Sequence, residues 1–128
     1  MLRTSIAATA FQGDVGCYVV YDSPDAERPL YVGVASRRGI DQRWNRDHLR
    51  NRAGSSALRR SLGVHLGLVD EKLRRPSRCY PEDVEAQITA ALRRGYIELY
   101  PCHSEHEALA MELELIGRLD PLLNVRRN

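Results

Sequence analysis

Hydrophobic and β-branched residues cluster first at residues 15–21, Val-Gly-Cys-Tyr-Val-Val-Tyr, and again at residues 30–34, Leu-Tyr-Val-Gly-Val. Such side chains suit the pleated, half-buried surface of a strand. The segment between them, Asp-Ser-Pro-Asp-Ala-Glu-Arg-Pro at residues 22–29, is polar and rich in turn formers. The two runs are therefore expected to pair as a hairpin with a long turn. Gly16 and Gly33 interrupt the two patterns, and a glycine inside a strand marks a bulge or the close approach of another group.

From Ile40 the period changes. Ile40, Trp44 and His48 recur every fourth residue among several arginines, the spacing of one helix face. Gly54-Ser55-Ser56 stops this helix and offers Ser55 or Ser56 as the N-cap of the next, in which Leu58, Leu62 and Leu66 line one side. A break at residues 76–81 precedes a helix from Glu82 to Arg94 that Gly95 closes. Residues 96–101 alternate as a third strand. Ser104 and Glu107 have capping-box spacing and open a last helix to about Leu119, before Asp120-Pro121 ends it. No repeat or linker divides the 128 residues, which suit one domain over 1–128.

A content of 43% hydrophobic and 28% charged residues excludes disorder, and no apolar run is long enough to span a bilayer, so no membrane partner is expected. The N-terminal apolar stretch is too short, and too broken by Thr4 and Thr9, for a signal peptide. Cys17, Cys79 and Cys102 are odd in number and widely spaced, which fits neither a disulfide framework nor a paired metal motif and favours a reduced, cytoplasmic setting. Charge is more informative. Residues 37–60 hold eight arginines against two aspartates, a local +6 that leaves −4 for the rest of a chain of net charge +2. Arg37, Arg38, Arg46, Arg50, Arg59 and Arg60 are therefore candidate nucleic-acid-binding residues, because the guanidinium fork matches phosphate oxygens; a solvated helix face would give the same pattern.

The last helix carries one misplaced residue. Ala108, Leu109, Met111, Leu115, Ile116 and Leu119 define its inward face, and Glu112 stands among them, whereas Glu114 and Arg118 can pair on another face. An unpaired buried charge is costly, so such a carboxylate takes an arginine partner, a raised pKa or a cation. Ion pairing and a metal or catalytic role both account for Glu112 at this point.

Taken in order, these features resemble the GIY-YIG nucleases. Gly16-Cys17-Tyr18 and Tyr31-Val32-Gly33 are similar to the two motifs that name the family. Arg43 in the helix after the hairpin, Glu112-x-x-Leu115-Ile116 and Pro121-Leu-Leu-Asn124 are similar to its later ones, and the resemblance covers a core of about residues 14–126. It implies an α+β fold, a small three-stranded antiparallel sheet flanked by helices. It also implies an endonuclease that cuts DNA, less often RNA, with one Mg²⁺ or Mn²⁺ per active site. By the resemblance, Glu112 would hold the metal, Tyr18 would act as general base on the attacking water with help from Tyr31, and Arg43 would bind a nonbridging phosphate oxygen. Gly16, Gly33 and Asn124 would be structural or positioning residues.

The sequence departs from the family pattern in three places. Cys17 replaces an aliphatic residue, which a small hydrophobe can do. Val34 stands where Lys is common. His48 is the candidate for the family's His or Tyr one turn after its Arg, but it lies five residues after Arg43, about 140° around a regular helix. With no element set aside for groove reading, cleavage is expected to be structure-selective or weakly sequence-specific. The alternatives are a catalytically inactive nucleic-acid-binding module of the same fold and a protein-interaction scaffold in which Glu112 is ion-paired.

Overall fold

The computed structural model describes residues 2–35 and 39–124. Arg37 and Arg38, two of the arginines expected to bind phosphate, lie outside the described residues. The sheet is antiparallel and has four strands rather than the three expected: β1 (Thr4–Ser5), β2 (Gly16–Tyr21), β3 (Tyr31–Ala35) and β4 (Tyr96–Pro101), in the order β1-β4-β2-β3. The additional strand pairs Thr4 with Ile97 and Ser5 with Tyr96. Two residues give no alternation to read, so a periodicity argument could not find it. β2 is central and every residue in it is buried, as a strand covered on both faces requires.

Alternation along β2 sorts the interior into two layers. Tyr18 and Val20 face a core shared with Ile40, Trp44, Leu58, Leu62, Ile88 and Leu92 from the helices of one side. Cys17, Val19 and Tyr21 face the other layer, closed by Ala108 and Leu115 of the last helix. Those helices are α1 (Ile40–Gln42), α2 (Ala57–His65), α3 (Glu82–Arg93) and α4 (Glu105–Leu119). Ser56 caps α2 by accepting from Arg59 N, and Ser104 caps α4 by accepting from Glu107 N, so one of the two serines offered for α2 is selected and half of the capping box is formed. The first N–H groups of α1 have no side-chain cap; Ile40 N and Asp41 N donate to the carbonyls of Asp14 and Gln12 instead.

The regular helix expected from Ile40 does not continue. After Gln42 the chain runs through a π-helical segment, Arg43–His48, in which Leu49 N donates to Trp44 O at 2.8 Å. The inward stripe of Ile40, Trp44 and His48 is nevertheless buried as expected. Two leucines placed on inward faces are not: Leu66 is 43% exposed at the end of α2, and Leu109 is 42% exposed on α4.

A buried ion pair ties α2 to α3. Arg59 and Glu85 are both essentially inaccessible. Arg59 Nη2 donates to Glu85 Oε1 at 2.8 Å, and its Nη1 donates to His48 O and Thr89 Oγ1. The second Glu85 oxygen, Oε2, accepts from Ala53 N and Tyr80 N at 2.8 and 2.9 Å. Such a pair is tolerated in the interior because nearly every lone pair and proton has a partner. Arg59 is thus a core residue and not part of the phosphate-binding surface for which its neighbours in sequence made it a candidate.

Candidate active site

The hairpin register aligns two tyrosines and one glycine on the sheet face that looks toward α1 and α2. Tyr18 pairs with Gly33 and Val20 with Tyr31, so Tyr18, Tyr31 and Gly33 point the same way. Gly33 is required by this packing: a Cβ there would lie 2.5 Å from the Tyr18 phenol oxygen. The phenol rests on bare backbone, which only glycine offers. Gly16 is required on the opposite strand, where a Cβ would lie 2.9 Å from Pro101 Cα and closer still to the Tyr100 carbonyl oxygen.

The π-helical segment supplies the next two groups. A π turn closes its hydrogen bond between residues five apart, so residues i and i+5 come to one side. Arg43 and His48 have that spacing. The angular separation that a regular helix would impose is removed, and both reach Tyr18. His48 Nε2 lies 2.5 Å from Tyr18 Oη, and the Arg43 guanidinium lies against the same phenol and favours its charged form. Arg43 is held by Asp47, Nη1 to Oδ2 at 2.8 Å. Trp44 braces the cluster: its ring stacks on Phe11 with centroids 5.1 Å apart and meets Tyr18 and His48 edge-on.

Burial pushes the Tyr18 hydroxyl well above its ordinary pKa, neighbouring Tyr31 adds to the rise, and Arg43 works against it. Tyr31 is raised likewise, by burial first and by Glu112, with Arg43 and Arg60 opposing. His48 is driven well below its usual value by burial and by the positive charges of Arg43 and Arg59, so its imidazole is neutral at physiological pH. His48 Nδ1 is 2.7 Å from Ser56 Oγ. Composition and spacing did not single out Ser56 for this contact; its cap position gave only its structural duty.

Glu112 lies on α4, half-buried, and its charge reaches Tyr18, Tyr31 and Cys17. Among the described residues no group of three or more His, Cys, Asp and Glu side chains forms a protein cage for a metal ion. One carboxylate near two phenols and a guanidinium still fits Mg²⁺, which is commonly held by one or two carboxylates with water and substrate phosphate completing its shell. Cys17 is fully buried, its thiol donates to Ala108 O at 2.9 Å, and burial with nearby Cys102 pushes its pKa up to about 12. It fills space and stays protonated. Val34 packs against the apolar layer that α4 closes, so the position offers no cation.

Asn124 docks on the outer edge of β3, where its Oδ1 accepts from Val32 N at 2.9 Å and its Nδ2 donates to Val32 O at 2.8 Å. It fastens the chain that follows α4 to β3. Arg46 and Arg50 are exposed. Arg60 is half-buried, donates to the carbonyls of Ala53 and Gly54, and its charge reaches Tyr31, which sets it at the rim of the cluster.

A family model described as the GIY-YIG catalytic domain matches residues 18–128. No curated protein and no solved structure matches the chain. The matched span opens on Tyr18 and takes in Tyr31, Arg43, His48, Glu112 and Asn124. Nucleases with this domain generally depend on a divalent metal. With the match over nearly the whole sequence and the α+β fold beneath it, the chain belongs to the GIY-YIG catalytic-domain family, whose members are nucleases.

Proposed function

We propose that this chain is a divalent-metal-dependent endonuclease acting on DNA in preference to RNA, structure-selective or weakly sequence-specific, working in the cytoplasm with one Mg²⁺ or Mn²⁺ per active site. The observation that carries this reading is the convergence of Arg43 and His48 on the Tyr18 phenol, with Glu112 near enough to act on it electrostatically.

In this reading Glu112 holds the metal. When bound, the ion supplies positive charge that neutralises the scissile phosphate and stabilises the leaving oxygen. Tyr18 takes the proton from the attacking water. Its raised pKa makes it a strong base once ionised, and Arg43 offsets part of the cost of ionising it. Arg43 also binds a nonbridging phosphate oxygen, held in a fixed pose by Asp47. Tyr31, on the same sheet face, assists Tyr18, and Arg46, Arg50 and Arg60 hold the backbone on either side of the cut. A binding module without catalysis is the second reading, favoured by Val34 in place of a cation.

The test is cleavage of labelled single-stranded, duplex and branched DNA and of RNA in Mg²⁺, Mn²⁺ or EDTA, with anisotropy titrations at two salt concentrations. Metal-dependent cutting of branched or duplex DNA is the expected outcome. Salt-sensitive binding with no cutting under any condition would instead establish the binding module. Gly33→Ala tests the geometry: the added methyl displaces the Tyr18 phenol, and turnover should fall about 100-fold, while stability falls by only about 1–3 kcal/mol. Wild-type turnover from a folded Gly33→Ala protein would remove Tyr18 from the mechanism.

A further inference from the structure

Three arginines meet at one short turn. Gly54 lies in the 3₁₀ turn Ala53–Ser55 that leads into α2. Its N–H donates to Arg78 O at 2.8 Å, and Arg60 Nη1 donates to the carbonyls of Ala53 and Gly54 at 3.0 and 3.1 Å. Arg52 stands immediately before the turn, where its carbonyl accepts from Ser55 N and Ser55 Oγ. The Arg52 and Arg78 side chains are exposed and Arg60 is half-buried. Arg78 comes this close only because residue 54 is glycine: a Cβ there would lie 2.5 Å from the Arg78 carbonyl oxygen. Arg78 lies outside the arginine-rich stretch at residues 37–60, and the fold brings it back to that stretch.

No carboxylate answers this charge. Among the described residues none of the three arginines takes part in a salt bridge, and residues 48–69 contain neither Asp nor Glu. The buried Glu85 is engaged elsewhere, through Oε1 with Arg59 and through Oε2 with Ala53 N and Tyr80 N. Glu71 pairs with Arg74, and Glu82 and Asp83 belong to the first turn of α3, where the helix N-terminus favours negative charge. Arg60 uses only Nη1 on the two carbonyls, which leaves its Nε–H and Nη2 donors for a bidentate contact with an anion. Like charges held together without a counter-charge repel one another, and an anion from outside the chain relieves that repulsion.

We propose that Arg52, Arg60 and Arg78, gathered by the Gly54 turn, form a phosphate-binding point that grips the nucleic-acid backbone beside the active site. Arg60 fixes its place, because the same side chain acts electrostatically on Tyr31 and on Tyr80; the turn therefore flanks the catalytic cluster on the side of α2. Contacts of this kind set the register of the substrate and read no bases. Arg52 and Arg78 are thus added to the cations that hold the substrate. The use of the site on a substrate that is cut rests on the nuclease reading above; the gathering of unpaired charge at Gly54 does not.

The experiment is a set of anisotropy titrations of a labelled DNA duplex across a range of salt concentrations, in EDTA so that no cutting intervenes. Four proteins are compared: wild type, Arg52→Gln/Arg78→Gln, Arg93→Gln/Arg94→Gln and Gly54→Ala. Arg93 and Arg94 are exposed and end α3, whose 12 residues carry them about 18 Å from its start near Arg78, so the second pair removes equal charge at a distance. Each lost phosphate contact lowers the slope of log K against log salt by about 0.9. Arg52→Gln/Arg78→Gln should therefore lower it by about 2 and the distant pair by much less. Gly54→Ala keeps every charge but drives the Arg78 segment off the turn, and should lose about one unit of slope. An equal loss in both arginine pairs would overturn the proposal, since net charge alone would then account for binding; so would a wild-type slope in folded Gly54→Ala. Failure of the two readings is distinguishable because binding is measured without cleavage. A slope loss confined to Arg52→Gln/Arg78→Gln in a protein that never cuts would support the phosphate site and sink the nuclease reading, whereas metal-dependent cutting with an unchanged slope would sink the phosphate site alone.

Discussion

Glu112→Gln should lower single-turnover cleavage about 1000-fold while leaving nucleic-acid affinity unchanged or tighter. Glutamine matches glutamate in shape and lies on a half-buried face of α4, so the helix should keep its packing. The change removes a negative charge whose field reaches both phenols of the site. A 1000-fold loss corresponds to about 4 kcal/mol, the scale of charge stabilisation by a bound divalent ion. Binding moves the other way because a carboxylate facing a phosphate repels it, and losing that repulsion favours the complex. Cleavage kinetics and anisotropy on one labelled substrate check both halves. Cutting by Glu112→Gln at the wild-type rate would separate Glu112 from the metal and from the chemistry.

Glu85→Ala should cost about 3–5 kcal/mol of folding stability, as expected when one partner is taken from a buried ion pair. The Arg59 charge would stay in the interior, and Ala53 N and Tyr80 N would lose the oxygen that now accepts from them. Against a typical total of about 5–15 kcal/mol, that is a large fraction. Denaturant titration measures it directly. The same substitution should reduce turnover in the surviving folded fraction, because Arg59 also anchors the carbonyl of His48 at 2.9 Å. A loss below about 1 kcal/mol would mean that the pair contributes no more than an exposed one.

Local patterns could be read where the deciding interactions are local. The hairpin, the caps at Ser56 and Ser104 and the inward stripe of Ile40, Trp44 and His48 depend on residues a few positions apart, and the structure has them. β1 escaped because Thr4 and Ser5 are held by β4, at the other end of the sequence. Arg59 looked like a surface cation because the carboxylate that buries it is 26 residues away. Leu109 was placed inward by helical period, yet the α4 face that meets the sheet is narrower than its apolar content. The largest correction concerns Arg43 and His48. Their separation argued against a shared site only on the assumption of a regular helix, and the π turn removes that assumption.

The docking of Asn124 bears on the sheet itself. β3 is an edge strand, and an edge presents a row of backbone donors and acceptors to any extended chain that meets it. Here the first part of that row is occupied from within. Leu122 N and Leu123 N donate to the carbonyls of Pro29 and Leu30, and the Asn124 amide takes both polar groups of Val32, imitating one more strand. The stretch of β3 that leads into Tyr31 and Val32 is thereby closed to a neighbouring strand, so the sheet cannot be extended by pairing there.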